Sequence, residues 1–218
     1  MLLLAMAAPA VSAQVYSPNI VGYATVTVAP GYNLLANPLS GGVTNGATEI
    51  MPILDGEVIL TWFGSRFAQV GYDSGFGGWV AADGSTPANP PALPPGVGFF
   101  FFNPNPTATN FTFIGQVVPS PGSTNSISVS KGYNLLGSQL PASVNQITSP
   151  PVSLPVIDGM LILQWNGSRY IQTGFDSGFG GWVQADGITP GIAPPYNIGQ
   201  GFFLFQPVDV NNWRQSLP

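Results

Sequence analysis

The chain has 218 residues, of which only 6% are charged; four Lys or Arg stand against nine Asp or Glu, for a net charge of −5. No basic stripe exists to neutralise phosphates, which excludes a nucleic-acid binder and disfavours an anionic membrane surface. Cys and His are absent, so disulfides and zinc sites of the usual Cys/His kinds are excluded as well.

The apolar fraction is 44%, with 28 Gly, 23 Pro and 14 Phe. That is enough apolar material for a core, so the low charge does not signal disorder. Abundant turn formers and aromatics predict many short strands joined by turns. Residues 1–14, MLLLAMAAPAVSAQ, carry a short apolar run and a small-residue cleavage pattern at Val11-Ser12-Ala13. Residues 1–13 therefore read as a secretory signal peptide, although a basic n-region is lacking. If retained, such an apolar segment would be a docking strand for a neighbour. No segment is long and apolar enough to span a bilayer as a helix.

Residues 23–28 alternate in the strand period. Ala29-Pro30-Gly31 makes a turn, and GYNLLANPL follows from Gly31. The segment 126–130, SISVS, and then GYNLLGSQL from Gly132 repeat this order. ATEIMPI at 47–53 suits one short helical turn, whereas its counterpart SPPVSLPVI holds three prolines and suits none. VILTW and LILQW are strands that end on Trp62 and Trp165. The residues that follow are the strongest signal in the chain: 62–84 and 165–187 share 17 of 23 aligned positions. This is an internal duplication. Pro-rich loops come next, then GFFFF at 98–102 and GFFLF at 201–205, short apolar runs of the kind that form strands buried on both faces. The expected fold is all-β: two tandem, duplicated, antiparallel sandwich-like modules with little or no helix. The first module spans 18–118, the linker 119–124 and the second module 125–218.

The ordered pattern GYNLLANPL, ILTWFGSRF, LPPGVGFFFFNP and ATNFTFIGQV, seen again as GYNLLGSQL, ILQWNGSRY and NIGQGFFLFQP, resembles a module of secreted and cell-surface bacterial proteins. The resemblance implies small all-β repeats, mostly without assigned activity, and brings no catalytic residues. The DSGFGGW insertion is not part of that module.

Catalysis has little to work with. The only amine is Lys131, and the remaining acid–base groups are Glu49, Glu57 and seven Asp. Six Asp fall at matched turn positions, Asp55/Asp158, Asp73/Asp176 and Asp83/Asp186, where Asx-turn chemistry is expected. No enzyme activity and no catalytic residue is expected. Calcium is the one cofactor the pattern leaves open, with Asp73, Asp83, Asp176 and Asp186 as candidate ligands around a Gly-rich bend. Trp62, Tyr72 and Trp79, with Trp165, Phe175 and Trp182, suit either core packing or stacking platforms for a glycan. Arg66 and Arg169 are expected to pair with Asp73 and Asp176, or with Asp83 and Asp186, and so to fasten a long hairpin. Together these twelve residues are the candidate binding set. The expected role is structural or adhesive: a secreted or cell-surface subunit of a fibre or matrix that associates with itself, head to tail. The alternative is a carbohydrate-binding module.

Overall fold

The computed structural model describes residues 21–120 and 122–217, apart from the side chains of 211 and 212. The expected signal peptide lies outside the described residues, as does position 121 of the expected linker. The protein is almost entirely β. Strands β1 (Val21–Val28), β2 (Gly31–Ala36), β3 (Val58–Trp62), β4 (Phe67–Asp73), β5 (Gly78–Ala81), β6 (Gly98–Asn103) and β7 (Thr109–Gln116) form the first module. Its one helix, α1 (Ala47–Ile50), is a single turn. Strands β8 (Thr124–Val129), β9 (Gly132–Leu136), β10 (Leu161–Trp165), β11 (Tyr170–Asp176), β12 (Gly181–Gln184), β13 (Phe202–Gln206) and β14 (Val210–Ser216) form the second.

Each module pairs a two-stranded with a five-stranded antiparallel sheet. The orders are β1-β7 and β2-β6-β3-β4-β5 in the first, β8-β14 and β9-β13-β10-β11-β12 in the second. Local sequence explains the elements. In β1 the inward Ala24 and Val28 are buried while Tyr23, Thr25 and Thr27 point to solvent, the period-2 pattern of a strand over a core. Glu49 closes α1 by accepting from the Gly46 backbone N–H (2.9 Å) and the Thr44 hydroxyl (2.9 Å). In the second module the same stretch, with its prolines, stays irregular.

Each module has its own core. Phe99, Phe101, Phe111, Phe113 and Ile59 lead the first; Phe202, Leu204, Ile162, Tyr196 and Trp213 lead the second. A third cluster belongs to neither. Leu34 and Phe100 of the first module meet Leu135 and Phe203 of the second, with Leu60, Trp62, Leu163 and Trp165 packed around them. Strand β6 therefore is buried on both faces: Phe99 and Phe101 look into their own module, and Phe100 looks into the other. Each of the four central side chains contributes roughly 1.5–3 kcal/mol relative to exposure.

The seam has two-fold character. The Trp62 indole N–H donates to the Tyr133 carbonyl (3.0 Å), and the Trp165 indole N–H donates to the Tyr32 carbonyl (2.9 Å). The Ala36 N–H donates to the Gly199 carbonyl (2.9 Å), and the Gly137 N–H to the Gly96 carbonyl (3.1 Å). Trp62 lies edge-on to Phe203 as Trp165 does to Phe100. Reciprocal contacts between equivalent residues are the mark of an isologous interface. The face around GYNLL is thus closed within the chain, and any head-to-tail contact must use another surface. The two copies differ where they approach most closely. A Cβ built on Gly137 would lie 2.1 Å from the Cβ of Ala36, its own equivalent across the seam. Two alanines do not fit there, and one glycine resolves the clash.

Candidate functional site

The duplicated stretch is a hairpin, β4–β5 in one module and β11–β12 in the other. Its tip is the eight-residue identity Asp73–Val80, recurring as Asp176–Val183. Asp73 accepts through Oδ1 from the Gly75 N–H (2.7 Å) and the Phe76 N–H (3.3 Å). Asp176 does the same with Gly178 and Phe179, capping a one-turn 3₁₀ segment. Asp55 braces the tip from the preceding turn, accepting from the Ser74 N–H at 2.6 Å, and Asp158 accepts from Ser177 at the same distance. Gly77 and Gly180 sit at φ 81° and 85°, a left-handed conformation that side chains resist and the bend requires. Phe76 and Phe179 are left standing in solvent, 63% and 60% exposed.

Asp83 and Asp186 close the turn that follows. Asp83 accepts from the Thr86 hydroxyl (2.5 Å), the Thr86 N–H and the Ser85 N–H. Those bonds, the Thr86 hydroxyl foremost, hold its carboxyl down at about 2. Asp186 is lowered likewise, first by the Thr189 hydroxyl. The Ser74 and Ser177 backbone N–H groups lower Asp55 and Asp158. In each case hydrogen bonds to the charged form favour it.

These geometries correct one expectation. Arg66 and Arg169 do not fasten the hairpin to Asp73, Asp83, Asp176 or Asp186. The carboxylates turn to backbone N–H groups of their own turns, a local partner that costs less ordering than a long arginine side chain. Both arginines are exposed at the other end of the hairpin.

The aromatic candidates divide. Trp79 is buried, 8% exposed, and packs edge-on to Tyr72 in the first core. Trp182 is half-buried beside Phe175 against the second core. Trp62 and Trp165 belong to the seam. None of the four Trp stands out from the surface as an open stacking platform. Among the described residues no three His, Cys, Asp or Glu side chains converge on a point that would hold a metal ion, and no helix is long and apolar enough to cross a membrane.

Two features fall outside the twelve candidates. The first is the exposed pair Phe76 and Phe179; a Phe between glycines in a perfectly repeated loop is the signal that points to them. The second is Glu57, fully buried at 0% exposure. Its Oε2 accepts from the Leu54 N–H (2.7 Å), while Oε1 has no partner. Desolvation pushes its carboxyl up to about 7, against the lowering effect of the Leu54 bond. The equivalent position in the second module is Met160, also fully buried, whose sulfur takes the same backbone donor, Ile157 N–H, at 3.3 Å.

Open space lies mainly at the module boundary and at the hairpin bases. A cleft of about 500 Å³ between the modules is lined by Thr25, Thr27, Asn33, Trp165, Asn166 and Asn197, among others, with no charged side chain. At the base of the second hairpin a cleft of about 590 Å³ is walled by Tyr170, Ile171, Ile192, Pro194 and Pro195, with Arg169 at its rim. Its counterpart in the first module holds Arg66, Phe67, Ala68 and Ala82.

The fold and site define a duplicated all-β module with hydrogen-bonded, aromatic-tipped hairpins. No protein-family model matches the sequence, and no curated protein or solved structure matches it significantly.

Proposed function

We propose that the chain is a secreted structural or adhesive subunit that assembles with copies of itself into an extracellular fibre, matrix or surface layer. The observation that carries this reading is a sparsely charged surface studded with apolar side chains. Val21, Tyr23, Val43, Phe63, Phe76, Phe179, Ile188 and Ile192 are each at least 59% exposed in a chain with 6% charged residues. Such a surface offers contact area with little electrostatic repulsion between neighbours. The small-residue pattern at 11–13 and the resemblance to secreted bacterial modules support an extracellular, cell-surface location. The residue inventory favours contact over turnover: without His or Cys, the groups for proton transfer are chiefly Lys131 and nine carboxylates, six of which close turns.

The test is a concentration series of the purified chain followed by light scattering and negative-stain electron microscopy. Growth of extended or layered particles with concentration supports the reading. A monomer that persists at millimolar concentration overturns it.

The inter-module cleft favours a second reading, carbohydrate binding. Its amide and hydroxyl lining beside the Trp165 indole suits a neutral sugar better than an ion. Retardation of the chain in gels containing neutral polysaccharide, relieved by Trp165→Ala with the fold intact, would support it; identical mobility across such gels would remove it.

A further inference from the structure

Each module carries a projection and a recess at opposite ends of one hairpin. The projection is Phe76 or Phe179, held out by the Asx-bonded tip. Two carboxylates flank it, Asp55 and Asp73 in one module and Asp158 and Asp176 in the other. The recess lies at the base, formed by Arg66, Phe67 and Ala68 with Ala82, and by Arg169, Tyr170 and Ile171 with Ile192 and Pro194. Along β4 or β11 the two are separated by the length of seven residues, about 20 Å.

Their chemistries are complementary. The projection is an aromatic ring beside negative charge; the recess combines apolar and glutamine side chains with one arginine. No ion pair among the described residues engages either guanidinium, although Asp83 and Asp186 follow the residues Ala82 and Ala185 of the two recesses; those carboxylates bond to Thr86 and Thr189. A rigid aromatic anchor entering an apolar pocket is the usual form of an interface hot spot, because little conformational freedom is lost. The exposed tip is also where the copies agree best. Between the equivalent exposed turns at 63 and 166 the residue has changed from Phe to Asn, whereas Asp73–Val80 has not changed at all.

We propose that the hairpin tip of one copy docks into the hairpin base of a second copy of this chain, Phe76 or Phe179 filling the recess and the tip aspartates facing Arg66 or Arg169. This rests on the assembly reading above and supplies its contact. Because projection and recess are different surfaces, the contact is heterologous and propagates instead of closing as a dimer of equal faces. With two hairpins per chain, each subunit offers two projections and two recesses.

The test uses the full chain in three forms: wild type, a tip variant (Phe76→Ala with Phe179→Ala) and a base variant (Arg66→Glu with Arg169→Glu). All four positions are exposed, so each form should melt at the wild-type temperature. Sedimentation velocity is run on each alone and on an equimolar mixture. The wild type should associate, and each variant alone should associate at least tenfold more weakly, the loss of a hot-spot contact. The mixture should recover association as alternating chains of the two variants, because the base variant keeps two intact tips and the tip variant keeps two intact recesses. Wild-type association by either variant alone overturns the docking. So does a mixture no larger than its components. A wild type that never associates overturns the assembly reading itself, and the docking with it.

Discussion

Glu57 makes the stability of the first module depend on pH between the ordinary carboxylate range and neutrality. Its carboxyl is fully buried, one oxygen lacks a partner, and burial raises it from 4.5 to about 7. A raised acid binds its proton more tightly folded than unfolded. The stability contributed by the neutral form is complete below pH 4.5 and is lost as pH rises toward 7. A shift of that size corresponds to about 3 kcal/mol at neutral pH. For a chain of this length that is a fall in Tm of roughly 6–12 °C. Met160 shows that the same pocket accepts an apolar side chain with the same backbone donor beneath it. Glu57→Met is therefore expected to raise stability by about 3 kcal/mol at pH 7.5 and to leave it nearly unchanged at pH 4.5. Urea denaturation of both proteins at the two pH values measures this directly. A wild type equally stable at both, or a variant whose gain is the same at both, would refute the reasoning.

Other perturbations follow from the same structure. Gly137→Ala should destabilise the chain by about 1–3 kcal/mol through overpacking, since its Cβ would lie 2.1 Å from that of Ala36; adding Ala36→Gly should restore most of the loss in chemical denaturation. Trp62→Phe and Trp165→Phe each remove one indole bond across the seam and should each cost about 1 kcal/mol or more in chemical denaturation. Acidification should destabilise both modules. The carboxyls of Glu49 and Asp83 are held down at about 2, Glu49 chiefly by the Gly46 N–H and Asp83 by the Thr86 hydroxyl, and Asp55, Asp158 and Asp186 are also lowered. Stability from these groups is present above pH 4 and lost as pH falls toward 2. With Glu57 acting in the opposite sense, the thermal midpoint should peak between pH 4 and 5, and a flat acid limb would contradict the Asx-turn geometry.

Much of this molecule is legible in its residues taken a few at a time. Alternation marks β1, prolines forbid a helix where α1 has its counterpart, and Asp before Ser-Gly or Gly builds the turns that the structure contains. The duplication is visible at once, and with it the repeated order of strands. Those features depend on neighbours in sequence, and neighbours are what local propensity reads. The fate of the aromatic side chains depends on residues a hundred positions away. Trp62 and Trp165 read as packing residues or as platforms; they pack half-buried, but against a cluster shared by both modules, a seam that exists only because two equivalent sheets dock face to face. The FFFF run announced burial on both faces, but only the docking reveals that the second cover is the other module. Pairing of Arg66 and Arg169 with Asp73 and Asp176, or with Asp83 and Asp186, is a reasonable expectation from the residues, yet β4 and β11 separate the arginines from the tip aspartates, and Asp83 and Asp186 turn to the N–H groups of their own turns. The sequence by itself determined the strands, the turns and the number of modules. The tertiary structure decided which faces are closed, which carboxylate is stranded at position 57, and that Phe76 and Phe179 stand in solvent, because burial is a property of rigid bodies in contact and not of any one segment.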